Sequence, residues 1–190
     1  RDSRTTHVSR VGESKFTKPG GATVRFLVPR AVASRLKALG QSHGCTLYVT
    51  LLAAYAVFLH RHSHQRDFAI GTMVAGRGDR RTRDLLGFCV NTLALRCDLG
   101  GDPAFPELLG RLRAMTHEAF DNQEVAFDRV VQCLNRGGDA LFQAAFVFES
   151  APLPALEVDG MAWEPVLERP DGALPGTAKF ALGLAIAETP

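Results

Sequence analysis

Hydrophobic and polar positions along this chain repeat with two different periods. Thr23 to Val28 is a short β-type run that stops at Pro29. Proline suits the first turn of a helix, and Val32, Leu36 and Leu39 then recur on one helical stripe, so the spacing predicts a helix running to about Gly40. Thr46 stands as N-cap before the run from Leu47 to about His62, which is apolar enough to be covered on most sides. Phe68, Ile70, Thr72 and Val74 alternate with Ala69, Gly71, Met73 and Ala75, which predicts a strand. A polar, basic loop follows over 76–84, and Phe88 to Arg96 reads as a second strand. Asp102-Pro103 supplies a cap and a first-turn proline for a helix whose apolar positions are Phe105, Leu108, Leu109, Leu112, Met115 and Ala119. A shorter helix covers Ala126 to Leu134.

Alternation returns near the C-terminus. Phe142, Ala144, Phe146 and Phe148 mark a third strand, and Leu156–Val158 with Met161–Leu167 flank Asp159-Gly160, a hairpin signal. In the last strand Ala178, Phe180, Leu182, Leu184 and Ile186 line one face. The other carries Lys179, Ala181, Gly183, Ala185 and Ala187, small enough for another element, such as a helix, to come close. No internal repeat and no regular βαβ rhythm is present. The pattern therefore predicts an α+β fold, a mixed, largely antiparallel sheet with helices packed on one face. Residues 1–22 hold few hydrophobes and end in Lys18-Pro19-Gly20-Gly21, a linker leading into a body spanning 23–190.

Composition narrows the classes. At 190 residues the chain can bury roughly 70% of its unfolded surface, enough for a core without staples. With 46% hydrophobic and 22% charged residues it is neither hydrophobe-poor nor highly charged, which excludes wholesale disorder. A formal charge of +2 argues against a dedicated nucleic-acid partner. The polar N-terminus has no apolar signal core, and the greasiest stretch, Leu47 to Leu59, falls short of the about 20 residues a membrane span needs. Cys45, Cys89, Cys97 and Cys133 form no C-x-x-C and read as reduced, structural thiols. The expectation is a cytoplasmic protein with neither membrane nor nucleic acid among its partners.

Candidate chemistry is sparse. His60 and His64 would share a helix face, as in a two-ligand metal site, but a helix C-terminus also favours such residues, and no third ligand is near, so no metal is assigned. The basic run Arg77 to Arg83 would suit a phosphate or simply a solvated loop. Neither a G-x-S-x-G elbow nor a phosphate-binding glycine loop occurs. Asn91 stands out because its strand face also carries Cys89, Leu93, Leu95 and Cys97. An amide there must find partners, either bracing a neighbouring loop backbone or lining a cavity that meets a polar ligand group.

The string GTMVAGRGDRRTRDLLGFCVNTLALR (71–96) resembles the condensation domains of nonribosomal peptide synthetases, which carry IGTPVANR, a loop and IGFFVNTLVLR. NQEVAFD (122–128) is similar to their NQDVPFE, with Ala126 for proline, and LNRGGDALFQAAFVFE (134–149) to their RDLSRNPLFQVMFVLQ without its Ser-Arg-Asn centre. The segments 46–72 and 177–189 also fit, so the resemblance covers about residues 23–189. It implies a fold like chloramphenicol acetyltransferase, with two lobes forming a V around an active-site tunnel. The family's HHxxxDG signature belongs to the N-terminal lobe. This sequence has no His-His pair, so it is expected to be the C-terminal lobe alone, with no catalytic residue of its own.

By the same resemblance, Asn91 and Thr92 are expected to face the tunnel, while Arg96 and Gln123 are structural residues of the two motifs. The loop over 76–86 would floor the tunnel, and Pro170 to Phe180 would latch onto the other lobe. Implied partners are the N-terminal lobe, a peptidyl carrier protein with its phosphopantetheine arm, and a neighbouring adenylation domain. A lobe without its mate would expose apolar surface and tend to self-associate. The rival expectations are a non-catalytic module that binds carrier proteins or neighbouring domains, and an epimerising or ester-forming relative of the same fold.

Overall fold

The computed structural model describes residues 3–11, 21–76, 86–134, 140–149, 156–158, 161–163 and 179–188. These form two compact units, Arg1–Ala31 with Val147–Pro190, and Val32–Phe146.

In the first unit, β1 (Ser3–Val11) pairs antiparallel with β2 (Gly21–Pro29) over nine residue pairs. On its other side β1 pairs antiparallel with β8 (Leu182–Ala187). The Glu188 N–H donates to the carbonyl of Glu149, the last residue of β5 (Ala144–Glu149), at 3.1 Å. The stretch expected to be a linker therefore contains a strand. Its hydrophobes are few, and β-structure here comes from backbone pairing on both sides, which periodicity cannot register. β6 (Leu156–Val158) and β7 (Met161–Trp163) form the expected hairpin, Val158 opposite Met161. Asp159-Gly160 and the segment 164–178, with most of the expected latch, lie outside the described residues.

The second unit holds α1 (Arg30–Ser42, from Val32 onward), α2 (Leu47–Ser63), β3 (Asp67–Val74), β4 (Asn91–Asp98), α3 (Phe105–Asp121), α4 (Phe127–Leu134) and the start of β5. β3 is antiparallel to β4 and parallel to β5, so the sheet is mixed as the alternation implied. One face is covered by helices. Phe146 of β5 is fully buried, its ring 5.3 Å from that of Tyr48 and 6.1 Å from that of Tyr55, both on α2. Leu52, Ile70, Leu95, Leu108, Leu109 and Leu112 complete this core, each contributing about 1.5–3 kcal/mol by burial. Tyr48 Oη donates to Thr72 Oγ1 (3.1 Å), which donates to the Phe146 carbonyl (2.8 Å), so the polar atoms beneath α2 are satisfied. No single helix among the described residues is long and apolar enough to cross a membrane.

Three local expectations change. Helix α1 buries Ala33 and Gly40, while Val32 and Leu39 stay exposed, so its inward stripe is rotated by about one residue. At Gly40 the helix comes so close to Thr50 that a side chain there would run into the Thr50 hydroxyl. Next, Phe88 to Val90 are not strand. β3 ends at Val74, opposite Asn91, and the chain turns at Gly76, whose φ of +62° and contact with the Cys89 carbonyl leave no room for a side chain. With no strand beside them among the described residues, Leu86 and Phe88 are almost fully exposed.

Finally, Asp102 does not cap α3. It takes a positive φ of 52° in a turn organised by Asp98 Oδ1, which accepts from the Gly100 N–H at 2.8 Å. The cap position falls to Ala104, with Pro106 in the first turn. The N-cap Thr46 is as expected, accepting from the Val49 N–H at 3.3 Å.

Candidate functional site

Successive side chains on a strand project to opposite faces. On β3 and β4 the odd-numbered β4 residues Leu93, Leu95 and Cys97 point to the helix-covered face and are buried. Thr92, Ala94 and Arg96 point to the other face, beside Met73, Gly71 and Ala69 of β3 in register. Asn91 and Thr92, expected to line one wall together, are therefore on opposite sides of the sheet.

Asn91 is a brace. Its Nδ2 donates to the carbonyls of Gln123 and Val125, both at 2.8 Å. Its Oδ1 accepts from the Thr92 N–H at 2.9 Å and the Phe127 N–H at 3.3 Å. Both donors and both acceptor positions of the amide are thus used. The connection between α3 and α4 is held against the start of β4, and the first N–H of α4 is satisfied from outside the helix. Gln123 takes part through its backbone, its own N–H donating to Phe120 O.

Thr92 lies opposite Met73, which is 48% exposed. The Thr92 hydroxyl has no hydrogen-bond partner among the described residues. The neighbouring surface is aromatic. A side chain at Gly71 would run into the Phe142 ring, which lies directly over the glycine. Phe142 in turn packs 5.6 Å from Phe127 at the head of α4. Phe142 precedes β5 and so escapes the alternation that grouped it with Phe146. Met73 and Phe142 are the residues of this face that motif reading passed over. Gly71 was the available signal, because a glycine inside a strand marks a close approach.

Arg96 makes a two-pronged pair with Asp67, Nη2 to Oδ2 at 2.7 Å and Nε to Oδ1 at 2.9 Å, with both side chains largely exposed. The Arg96 guanidinium holds the Asp67 carboxyl below its ordinary range, and Asp67 raises Arg96 in turn. Such exposed pairs add little stability, so the role is local positioning at the far end of β3 and β4.

The histidines close helix α2. His64 is its left-handed C-cap, donating its N–H to His60 O at 2.8 Å, and His60 Nδ1 lies 2.7 Å from Gln65 O. No group of three or more metal-binding side chains occurs among the described residues. All four cysteines are free; Cys45 and Cys97 are buried and Cys133 is exposed. Burial pushes the Cys97 thiol up to about 12. The basic run 77–83, and with it nearly all of the loop expected to floor the tunnel, lies outside the described residues.

Residues 13–188 match the family model described as Condensation domain. The chain is 36% identical over 172 residues to a dimodular nonribosomal peptide synthase of Bacillus subtilis, covering 88% of this chain and 7% of that protein. It is 37% identical over 174 residues to a linear gramicidin synthase polypeptide of Brevibacillus parabrevis, covering 90% of this chain and 2% of that protein. Among solved structures, a holo four-domain nonribosomal peptide synthetase bound to AMP and glycine superposes with a TM-score of 0.63 at 30% identity, over 65% of this chain and 10% of that one. The SgcC5 protein of Streptomyces globisporus gives a TM-score of 0.62 at 22% identity, over 98% of this chain and 40% of that one, a likeness of fold. The chain thus spans a small part of these relatives.

Proposed function

Because this chain belongs to the condensation-domain family of nonribosomal peptide synthetases, whose general function is amide bond formation, we propose that it is the C-terminal lobe of such a domain and forms one wall of its substrate tunnel. The observation that carries this reading is the junction at Asn91. It joins the two motifs of the family resemblance, VNT and NQEVAF, leaving the Thr92 face as the surface beside α4 that can meet substrate.

In the complete domain the acceptor amine attacks the donor thioester. The C–N bond forms, the C–S bond breaks, and the proton lost from the amine is balanced by the thiol that leaves. Both substrates would arrive on phosphopantetheine arms of carrier proteins, and holding them together supplies much of the rate. Thr92, Met73 and the Phe142–Phe127 pair would shape the wall, and Asn91 would act as a positioning residue. The histidines of HHxxxDG would come from the N-terminal lobe. An adjacent adenylation domain would load the carrier.

The test is a condensation assay read by mass spectrometry. The purified chain, given a donor aminoacyl carrier and a loaded acceptor carrier, is expected to yield no dipeptide. Co-expression with an N-terminal lobe bearing HHxxxDG is expected to restore it. Dipeptide from this chain unaided would refute the silent-lobe reading.

A further inference from the structure

We propose that the outer edge of β2 is a self-association site, at which a second copy of this chain adds its own β2 antiparallel across a two-fold axis. Strand β2 pairs with β1 on one side, and among the described residues no strand lies on the other. Every second residue of its nine therefore points a backbone N–H and C=O outward, a row that an extended strand satisfies. Among the described residues its protections are few, with Arg25 its one charged side chain. Its register with β1 is unbroken, it contains no lysine, and its proline is the last residue, Pro29. Val24, Phe26 and Leu27 are 61%, 43% and 56% exposed.

A second copy fits this edge in a definable register. Centring the axis on Arg25 would place two like charges opposite one another, which is unfavourable. Centring it on Phe26 places Val24 opposite Val28 and Arg25 opposite Leu27. This seven-residue overlap makes about six backbone hydrogen bonds whichever residues point outward, since Pro29 has no N–H. A standard interface carries about ten, so the dimer is reversible and weak.

The experiment is analytical ultracentrifugation of the full chain over a concentration series. The expected result is a mass that doubles reversibly as concentration rises. The double variant Val24→Lys with Phe26→Lys should weaken dimerisation at least tenfold with unchanged far-UV circular dichroism. Leu86→Lys with Phe88→Lys, still more exposed apolar residues elsewhere, should leave it unaltered. A monomer at every concentration, or a dimer insensitive to the β2 variant or abolished by the Leu86/Phe88 one, overturns the proposal. Should the β2 variant misfold, amide exchange of the unaltered chain decides: β2 amides must exchange more slowly as concentration rises, and concentration-independent exchange overturns the site.

Discussion

The side-chain amide of Asn91 lies 2.8 Å from the backbone carbonyl of Gln123, thirty-two residues further along the chain. The asparagine at the start of β4 thereby fixes how the chain leaves α3 and enters α4. Replacing Asn91 by alanine leaves two carbonyls and the Thr92 and Phe127 N–H groups without that partner, at a cost of about 2 kcal/mol. Asn91→Asp should cost more at neutral pH, because the new carboxylate faces the carbonyls of Gln123 and Val125 and cannot donate. Urea midpoints at pH 7 should rank wild type above Asn91→Ala above Asn91→Asp. The aspartate variant should partly recover below the ordinary carboxylate range, where a protonated side chain can donate once. Equal midpoints for all three would contradict the brace.

Gly71 lies beneath the Phe142 ring. Gly71→Ala forces that ring aside and should destabilise by about 1–3 kcal/mol. Adding Phe142→Ala should recover part of this loss, because the clash disappears with the ring. A double-mutant cycle from denaturant unfolding measures the coupling, and strict additivity would show that the ring does not occupy the glycine's space.

Thr92 makes a sharper functional test because its hydroxyl is not used in folding among the described residues. Thr92→Val should leave the unfolding midpoint within about 0.5 kcal/mol of the parent. In the two-lobe condensation assay it should nonetheless alter kcat or KM. Unchanged kinetics would remove the hydroxyl from the substrate wall.

Cysteine reactivity should divide by burial. Exposed Cys133 should react with maleimide in the native chain, while Cys45 and Cys97 react only on unfolding. Burial raises the Cys97 thiol from its ordinary 9.0 to about 12, so the folded state keeps a proton that the unfolded state loses. Stability should therefore be unaffected by this group below pH 9 and fall progressively between pH 9 and 12. Tyr48 and Tyr55, raised mainly by burial, act in the same direction once pH passes their ordinary value. Urea midpoints from pH 8 to 11 measure the slope, and Cys97→Ala should flatten its lower part.

The Asp67–Arg96 pair has the opposite sign. A lowered carboxyl contributes stability above its ordinary range, and that contribution is lost as pH falls through the lowered value. Both groups are exposed, so the effect should be small and weaken further in salt. Chemical denaturation of Arg96→Met at low and high ionic strength checks this, and a large salt-independent loss would contradict it.

Periods and caps were legible in the order of residues. Helix α2 and its Thr46 cap, the apolar positions of α3, and the alternation of β3 are properties of neighbours in sequence, and local geometry suffices to read them. The family resemblance came from short motifs, each likewise local. The strand over Ser3–Val11 was not legible, because its stability comes from pairing with β2 and β8. The inward face of α1 also escaped, since the close approach of Gly40 to Thr50 lies between two helices.

The candidate site divides in the same way. Sequence alone determined that Asn91 needs partners, whereas the register of β3 and β4 placed Asn91 and Thr92 on opposite faces of the strand. Only the tertiary structure decided which backbone groups Asn91 holds, and that Phe142 steps out of the β5 alternation to cover Gly71. The physical reason is reach. A period describes residues two to four apart, whereas the Asn91 brace and the Phe142 contact join residues separated by about thirty to seventy positions.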